Sequence, residues 1–308
     1  MSNARWLAMT FLLLLAALGL GLAMVLVGIR TAAAPGFPQM VTSPYGQVQD
    51  YAFTLQHADC EILIYGDSSA MTSDDPATIE SQTHLKTCNI SQTQPIVLVT
   101  GTLPIDLYLK NNRLPKYLVI QVSPDVFYKP HGLDENAAFD PMTLMLRHHQ
   151  GWETTHEMLR HPIQTLRYVS LALQQRFRPE NRHLQDFKKL YGRVIEDYYA
   201  TRGLLTLPMP VETECGRPEF PEVPADYGWL DEARQKYEAM GVKVLVMVSP
   251  VPECDPRIGV YRRDIGMHVE GGVNTLPLSF FNDSLRHFTR EGAKRVSLDL
   301  ATQIVATH

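Results

Sequence analysis

The sequence predicts an α/β protein: a doubly wound parallel sheet with a helical insertion, preceded by an N-terminal transmembrane helix. Three observations support this prediction. An uncharged apolar segment opens the chain, short β-branched runs alternate with helical stretches, and one long stretch interrupts that alternation. With 308 residues, 45% of them hydrophobic and 20% charged, the chain can bury a substantial core, which excludes an intrinsically disordered protein.

The charge balance excludes one class of partner. Lys and Arg number 28 against 33 Asp and Glu, so the net charge is -5 at pH 7. A nucleic-acid-binding domain needs a basic patch, and no long basic run follows the N-terminus. We therefore expect no nucleic-acid partner.

The first 30 residues predict a membrane anchor. Trp6 to Ile29 carries no charge, and as a helix it would extend roughly 36 Å, more than the hydrocarbon core of about 30 Å. A cleaved signal peptide has a shorter apolar region, so an uncleaved anchor is favoured, although Thr31 to Ala34 offers small residues at which a peptidase could cut. The flanking Arg5 and Arg30 nearly balance, so the orientation depends on the short N-terminal stub. We expect a single-pass protein of the inner (cytoplasmic) membrane with its domain on the periplasmic or extracytoplasmic side.

Residues 31–52 are rich in Ala, Pro and Gly and predict a stalk, with the folded domain at residues 53–308. Three apolar runs in that domain predict strands: Glu61–Tyr65, Tyr117–Val122 and Val242–Val248. Continuous β-branched runs of this kind are typical of parallel strands that are buried on both faces.

Helical stretches lie between these strands. The apolar spacing and cap signals predict helices over Pro76–Leu85, Pro104–Asn112 and Asp226–Met240. The segment at about residues 141–203 departs from the alternation and predicts a helical insertion. Packing against the sheet, covering a site and lying on the bilayer surface are three open interpretations of that insertion.

The cysteines and histidines do not predict a metal site or a cofactor. Cys60 and Cys88 show no CxxC spacing, and His156 and His161 lie one residue too far apart for an HExxH motif. Cys215 and Cys254 each lie in a Pro-rich loop, and in an oxidising compartment we expect them to form a disulfide. Free buried thiols are the alternative.

The first predicted strand leads directly into Gly66-Asp67-Ser68. A serine here would lie on a tight turn at the carboxyl end of a central strand, where open α/β sheets place their ligand sites. The helix that follows would direct backbone N–H groups at an oxyanion formed on a substrate bound to Ser68. A simple helix cap is the alternative role of this serine.

A base for this serine is available near the other end of the chain. His287 precedes a helix that should begin around Thr289, and Asp283 lies four residues before the histidine. An aspartate can orient an imidazole, which then takes the serine proton.

This pair of motifs resembles the SGNH, or GDSL, hydrolase superfamily over about residues 60–302. The resemblance implies a flavodoxin-like sheet, with Ser68 as nucleophile, His287 as general base and Asp283 as its orienter. The spacing from Asp283 to His287 is one residue longer than the family's Asp-x-x-His. Asn282 or a backbone carbonyl could therefore replace the aspartate.

The middle motifs of the family differ in this chain. Ser123-Pro124-Asp125 stands where the family has a Gly-x-Asn-Asp block, so the asparagine that donates to the oxyanion is missing or supplied elsewhere. The segment Cys88–Gln92 looks like the family's second block, which makes the N–H of Ser91 or Gln92, together with Ser68, the expected oxyanion donors. Similar losses occur in the membrane-anchored, envelope-facing branch that includes proteins of polysaccharide O-acetylation and of D-alanyl transfer to teichoic acids.

Two functions follow as expectations from the resemblance. The first is a membrane-anchored serine esterase or O-acyltransferase that acts on an acylated envelope glycan or lipid. The second is a non-catalytic SGNH-like protein that binds glycan or serves as a scaffold among the partners of an envelope modification complex.

Overall fold

The computed structural model describes residues 3–31, 48, 51–129, 141, 144–145, 151–163, 165, 193–216, 219–282 and 286–307. The chain divides into two compact units. One, the N-terminal unit, combines Met1–Thr42 with Leu133–Asp186, and the other, the α/β unit, combines Ser43–Gly132 with Phe187–His308. Most of the expected insertion at about residues 141–203 lies outside the described residues.

The described α-helices are α1 (Asn3–Thr31), α2 (Tyr51–Thr54), α3 (Ser68–Ser73), α4 (Pro76–Thr83), α5 (Gln94–Thr100), α6 (Leu103–Leu109), α7 (Gly151–Arg160), α8 (Gly228–Glu238), α9 (Ile258–Asp264) and α10 (Arg290–Ala306). Residues 193–200 are also helical. Two 3₁₀ turns cover Pro124–Tyr128 and Leu278–Phe280.

Within the part of the chain that the structure describes, α1 is the one helix that is long and apolar enough to cross a membrane. Its apolar span, Asn3–Met24, has a mean hydropathy of 2.4, and none of it is buried inside the protein. A membrane span or a signal sequence has these features.

The sheet of the α/β unit has four parallel strands in the order β2-β1-β3-β4. The strands are β1 (Ile62–Gly66), β2 (Thr87–Asn89), β3 (Tyr117–Val122) and β4 (Lys243–Val248). A separate parallel pair joins β5 (Val251–Pro252) to β6 (Thr275–Leu276). The prediction of an α/β fold with a parallel sheet is confirmed, and the three predicted strands lie within one residue of the observed bounds.

Both faces of the sheet are covered, which explains the continuous apolar runs. Leu63 of β1 belongs to a core cluster with Tyr108 of α6 and Tyr237 of α8. The next residue, Ile64, belongs to a second cluster that includes Leu300 of α10. Because alternate side chains enter two different cores, a polar residue on either face would be buried without water.

The predicted helices are present, and each ends two or three residues earlier than predicted. Helix α4 stops at Thr83 because His84 adopts a left-handed conformation, with φ of 57°. Asp75 caps its first turn by accepting from the N–H of Ala77 at 3.1 Å. Helix α5 was not predicted, since Ile96 and its β-branched neighbours favour a strand.

The folded domain begins before its predicted start at residue 53. Val48 and Tyr51 are buried in a cluster with Tyr198 and Leu205 of the same unit. The end of the expected stalk is therefore part of the core. Residues 32–47 and 49–50 of that stalk lie outside the described residues.

Two disulfides link parts of the α/β unit. Cys215 and Cys254 are joined, with their Cα atoms 5.9 Å apart. Cys60 and Cys88 are also joined, with a Cα separation of 5.8 Å. The second bridge was not predicted: it connects a residue just before β1 to the middle residue of β2, and the two strands become neighbours only in the folded sheet.

Candidate functional site

The site is built on the sharp turn between β1 and α3. A β-carbon at Gly66 would lie 1.6 Å from the carbonyl oxygen of Gln121 on the neighbouring β3, so only glycine fits there. Asp67 is the N-cap of α3, and its side chain accepts from the N–H of Ser69 at 3.0 Å. Ser68 is thus the first residue of α3, at the carboxyl edge of the sheet, where the strand order reverses between β1 and β3.

Ser68 and His287 meet at this edge. The Ser68 Oγ lies 3.1 Å from the His287 Nε2 across a sequence separation of 219 residues. That distance is within the range required of a nucleophile and its base. With the proton of the neutral imidazole on Nδ1, Nε2 can accept the proton of the serine hydroxyl.

Neighbouring contacts hold the backbone at His287. Its carbonyl accepts from the N–H of Asn282 at 2.7 Å, and the side-chain amide of Asn282 donates to the carbonyl of Phe288 at 3.0 Å. The rings of Phe281 and Phe288 pack with centroids 4.8 Å apart, and Thr289 caps α10. The imidazole is therefore presented from a fixed base, with only 9% of the residue exposed.

The expected orienter of the imidazole, Asp283, lies outside the described residues. Asn282 is described, and its side chain is used to hold the Phe288 carbonyl. The Nδ2 of Asn282 thus helps to fix the backbone of the residue that follows His287.

The expected oxyanion donors at Ser91 and Gln92 need correction. The N–H of Ser91 donates to the Oδ1 of Asn89 at 3.0 Å, and the N–H of Gln92 donates to the carbonyl of Gly66 at 2.9 Å. Both residues are completely buried. The N–H of Ser68 differs, because it belongs to the first residue of α3 and has no carbonyl one turn earlier within the helix.

A buried polar network that no sequence motif predicted lies behind the serine. Asp67 Oδ2 accepts from the N–H and hydroxyl of Ser123 at 3.1 and 2.6 Å, while the hydroxyls of Ser69 and Ser249 are 2.6 Å apart. Gln121 donates to Ser249 at 3.3 Å. Ser123 directly follows β3 and Ser249 directly follows β4, and this shared position at the carboxyl ends of adjacent strands was the available signal.

The network ends at a second carboxyl group. Asp74 accepts from Gln121 Nε2 at 3.2 Å and from the Ser73 hydroxyl at 3.1 Å. Complete burial raises the pKa of Asp74 to about 8, assisted by the negative charge of Asp67 and opposed by these two hydrogen bonds. Asp74 is therefore largely protonated at neutral pH.

A charged cluster lies beside the network. Asp125 accepts from Arg257 Nη1 at 3.1 Å and from the Tyr261 hydroxyl at 2.8 Å, and it also pairs with Arg286. Arg257 is held in turn by Asp255. The cleft among these groups encloses about 10 Å³, room for one water molecule, so a larger substrate would have to lie on its open side.

Among the residues that the structure describes, no group of three or more His, Cys, Asp or Glu side chains could hold a metal ion. His156 is exposed on α7, in the N-terminal unit. The histidines at 148, 149 and 183 lie outside the described ranges.

No protein-family model, no curated protein and no solved structure matches this chain. The fold and the site alone therefore define its class. It is an α/β protein that brings a serine and a histidine together at the carboxyl edge of a parallel sheet.

Proposed function

We propose that this protein is a membrane-anchored serine esterase or O-acyltransferase of the SGNH type. Its substrate would be an acylated glycan or lipid of the cell envelope. The observation that carries the proposal is the 3.1 Å contact between Ser68 Oγ and His287 Nε2. The strand order β2-β1-β3-β4 supports it, since flavodoxin-like sheets begin with the same order.

The reaction would proceed in two halves. Ser68 Oγ attacks the ester carbonyl while its proton passes to His287 Nε2, and His287 then protonates the departing alcohol to leave an acyl-serine. In the second half, His287 takes a proton from water or from a sugar hydroxyl, whose oxygen attacks the acyl carbon. Ser68 recovers its proton, and a free acid or a new ester is released.

The serine would also contribute to stabilising the negative charge. The tetrahedral intermediate places that charge on the former carbonyl oxygen, and the N–H of Ser68 is at the start of α3 where it can donate to it. A site with a single such donor would be a slow esterase, because the loss of one oxyanion donor costs about 100-fold or more in rate.

The second candidate function is a non-catalytic SGNH-like domain that binds glycan or serves as a scaffold for envelope partners. The observation that favours it is the engagement of the Ser91 and Gln92 N–H groups within the protein. A binding domain needs no oxyanion donors, so it would tolerate this arrangement.

Labelling with a fluorophosphonate serine reagent separates the two functions. The full-length protein in detergent should gain the mass of one label and hydrolyse p-nitrophenyl acetate, whereas Ser68→Ala should do neither. Ser81→Ala, which removes an exposed hydroxyl on α4, should behave like the unmodified protein.

The histidine is tested in the same assays. His287→Ala should lose at least 100-fold in turnover because the serine then lacks its base. His268→Ala, at an exposed histidine of the same unit, is the matched control. Equal labelling of unmodified protein and Ser68→Ala, without ester turnover, would reject catalysis at this serine and favour the binding domain.

A further inference from the structure

The residue that precedes each member of the Ser68–His287 pair bonds to the same short segment, Ser123–Asp125. Asp67, before the serine, accepts from the N–H and hydroxyl of Ser123. Arg286, before the histidine, pairs through its Nη2 with the Oδ2 of Asp125. We call Ser123–Asp125 the brace, because it connects the two halves of the site.

The brace lies in a rigid place. It directly follows β3, a central strand that pairs with β1 on one side and β4 on the other. Pro124 fixes its own φ and begins the 3₁₀ turn. Ser123 and Pro124 are buried, and the Asp125 side chain is 13% exposed.

Asp125 is held in place before it meets Arg286. Its Oδ1 accepts from Arg257 and Tyr261, which leaves Oδ2 directed at the Arg286 guanidinium. Arg257 in turn makes two bonds to Asp255, Nε to Oδ1 at 3.0 Å and Nη2 to Oδ2 at 2.8 Å, and is only 11% exposed. A carboxylate fixed in this way orients an arginine better than a mobile surface carboxylate does.

We propose that Arg286 and Asp125 are positioning residues that hold His287 within reach of Ser68. This inference rests on the proposed function. Arg286 is covalently joined to His287, so its ion pair restricts the backbone from which the imidazole projects. A small displacement of a catalytic base is costly, since about 1 Å can reduce a rate on the order of 100-fold.

Two substitutions with opposite charge effects test the proposal in the full-length protein. Arg286→Gln removes a positive charge near His287, and Asp125→Asn removes a negative one. If the pair only tuned the charge around His287, the two pH–rate profiles would shift in opposite directions. Positioning instead predicts that both variants lose about tenfold or more in kcat for p-nitrophenyl acetate, with KM within about threefold.

Three further variants complete the design. Arg286→Lys keeps the positive charge and should recover part of the lost kcat. The double variant Arg286→Gln/Asp125→Asn should lose no more than the worse single variant, because both remove one contact. Arg263→Gln breaks an exposed ion pair with Asp264 on α9 and should keep full activity. Thermal unfolding in the same detergent shows which variants are folded. If Arg286→Gln does not fold, the kcat of Arg286→Lys is used to test the proposal instead.

A second readout does not require turnover. The N–H of Phe288 donates to the Thr72 hydroxyl, so its hydrogen exchange, followed by mass spectrometry, reports the fixation of the backbone beside His287. Exchange should be at least tenfold faster in Arg286→Gln than in Arg263→Gln. Faster exchange in a protein whose Ser68 neither labels nor turns over would support the brace while rejecting the proposed function.

Two results would overturn the brace. One concerns turnover: a kcat for Arg286→Gln and Asp125→Asn that stays within twofold of the Arg263→Gln control or that changes in opposite directions in the two variants. The other is unchanged exchange at Phe288 in Arg286→Gln.

Discussion

Gly66 lies against Gln121 so closely that a β-carbon at position 66 would meet the Gln121 carbonyl oxygen at 1.6 Å. The turn that presents Ser68 therefore needs a glycine at position 66 because there is no space for a β-carbon. The φ and ψ angles of Gly66 are not the reason. The same β-carbon would also lie 2.9 Å from the Cβ of Ala70 in α3. Two elements of the site, β3 and α3, would have to move to admit it.

Gly66→Ala should consequently destabilise the protein and disturb the site. We expect a loss of about 1–3 kcal/mol or more in the free energy of unfolding, because the contact is with backbone and has no flexible side chain to relax. Urea unfolding in detergent measures this free energy. Gly259→Ala is the matched control: that position is exposed on α9 with nothing within 4 Å, and alanine should be neutral or slightly stabilising there. Equal stability of the two variants would contradict the argument.

The buried carboxyl of Asp74 predicts a pH-dependent stability. Its folded pKa of about 8 lies above the unfolded value of about 3.9. The folded state therefore keeps a proton that the unfolded chain releases between these values. The contribution is complete below about pH 4 and is lost as pH rises through 8, with a slope of at most about 1.4 kcal/mol per pH unit.

Asp74→Asn should remove this dependence. Asparagine keeps an acceptor for Gln121 and Ser73 and carries no charge, so the variant should be more stable than the unmodified protein at pH 8 and similar at pH 4.5. Thermal unfolding across this range gives the comparison. Asp231→Asn, at an exposed carboxylate of α8, should follow the unmodified curve. Parallel curves for all three proteins would show that Asp74 does not carry the effect.

Strands β1, β3 and β4 are predictable from the sequence because burial on both faces demands an unbroken apolar run, which few other structures need. Ser68 is equally visible, since it follows the first such run. Helix α5 is not predictable from the sequence, because Ile96 and Val97 are β-branched residues that favour strands but here pack into the core from a helix.

The rest of the site depends on contacts between residues far apart in the chain. The oxyanion expectation at Gln92 fails because the register of β2 against β1 directs that N–H to Gly66, and register is set by the folded sheet. The Ser69–Ser249 and Arg286–Asp125 contacts span 180 and about 160 residues, and serines and ion pairs are too common for their spacing to predict such partners.

Both disulfides should be present in the protein isolated from membranes without reductant. In the chain-entropy model, whose mechanism is disputed, the 28-residue separation of Cys60 and Cys88 corresponds to about 3.5 kcal/mol and the 39-residue separation of Cys215 and Cys254 to about 4 kcal/mol. Mass spectrometry of a non-reduced digest should recover two crosslinked peptide pairs. Recovery of the four cysteines as free thiols would contradict this pairing and the oxidising location together.

The N-terminal helix should hold the protein in the membrane as a single uncleaved span. The apolar span of α1 is longer than the apolar region of a signal peptide, which is about 7–15 residues. The protein should stay in the membrane pellet after a sodium carbonate wash, and its intact mass should include residues 1–30. A mature N-terminus at Thr31 to Ala34, with release into the soluble fraction, would identify the segment as a signal sequence instead.

The α/β unit should face away from the cytoplasm. Arg5 and Arg30, near the two ends of α1, provide no charge asymmetry that would hold the large C-terminal part inside. Two disulfides in that unit agree with an oxidising compartment. Protease added to spheroplasts should digest residues 31–308 while a cytoplasmic marker protein stays intact. If that domain is instead protected until the membrane is permeabilised, the orientation is reversed, and an acylated glycan or lipid exposed on the outer side could not be its substrate.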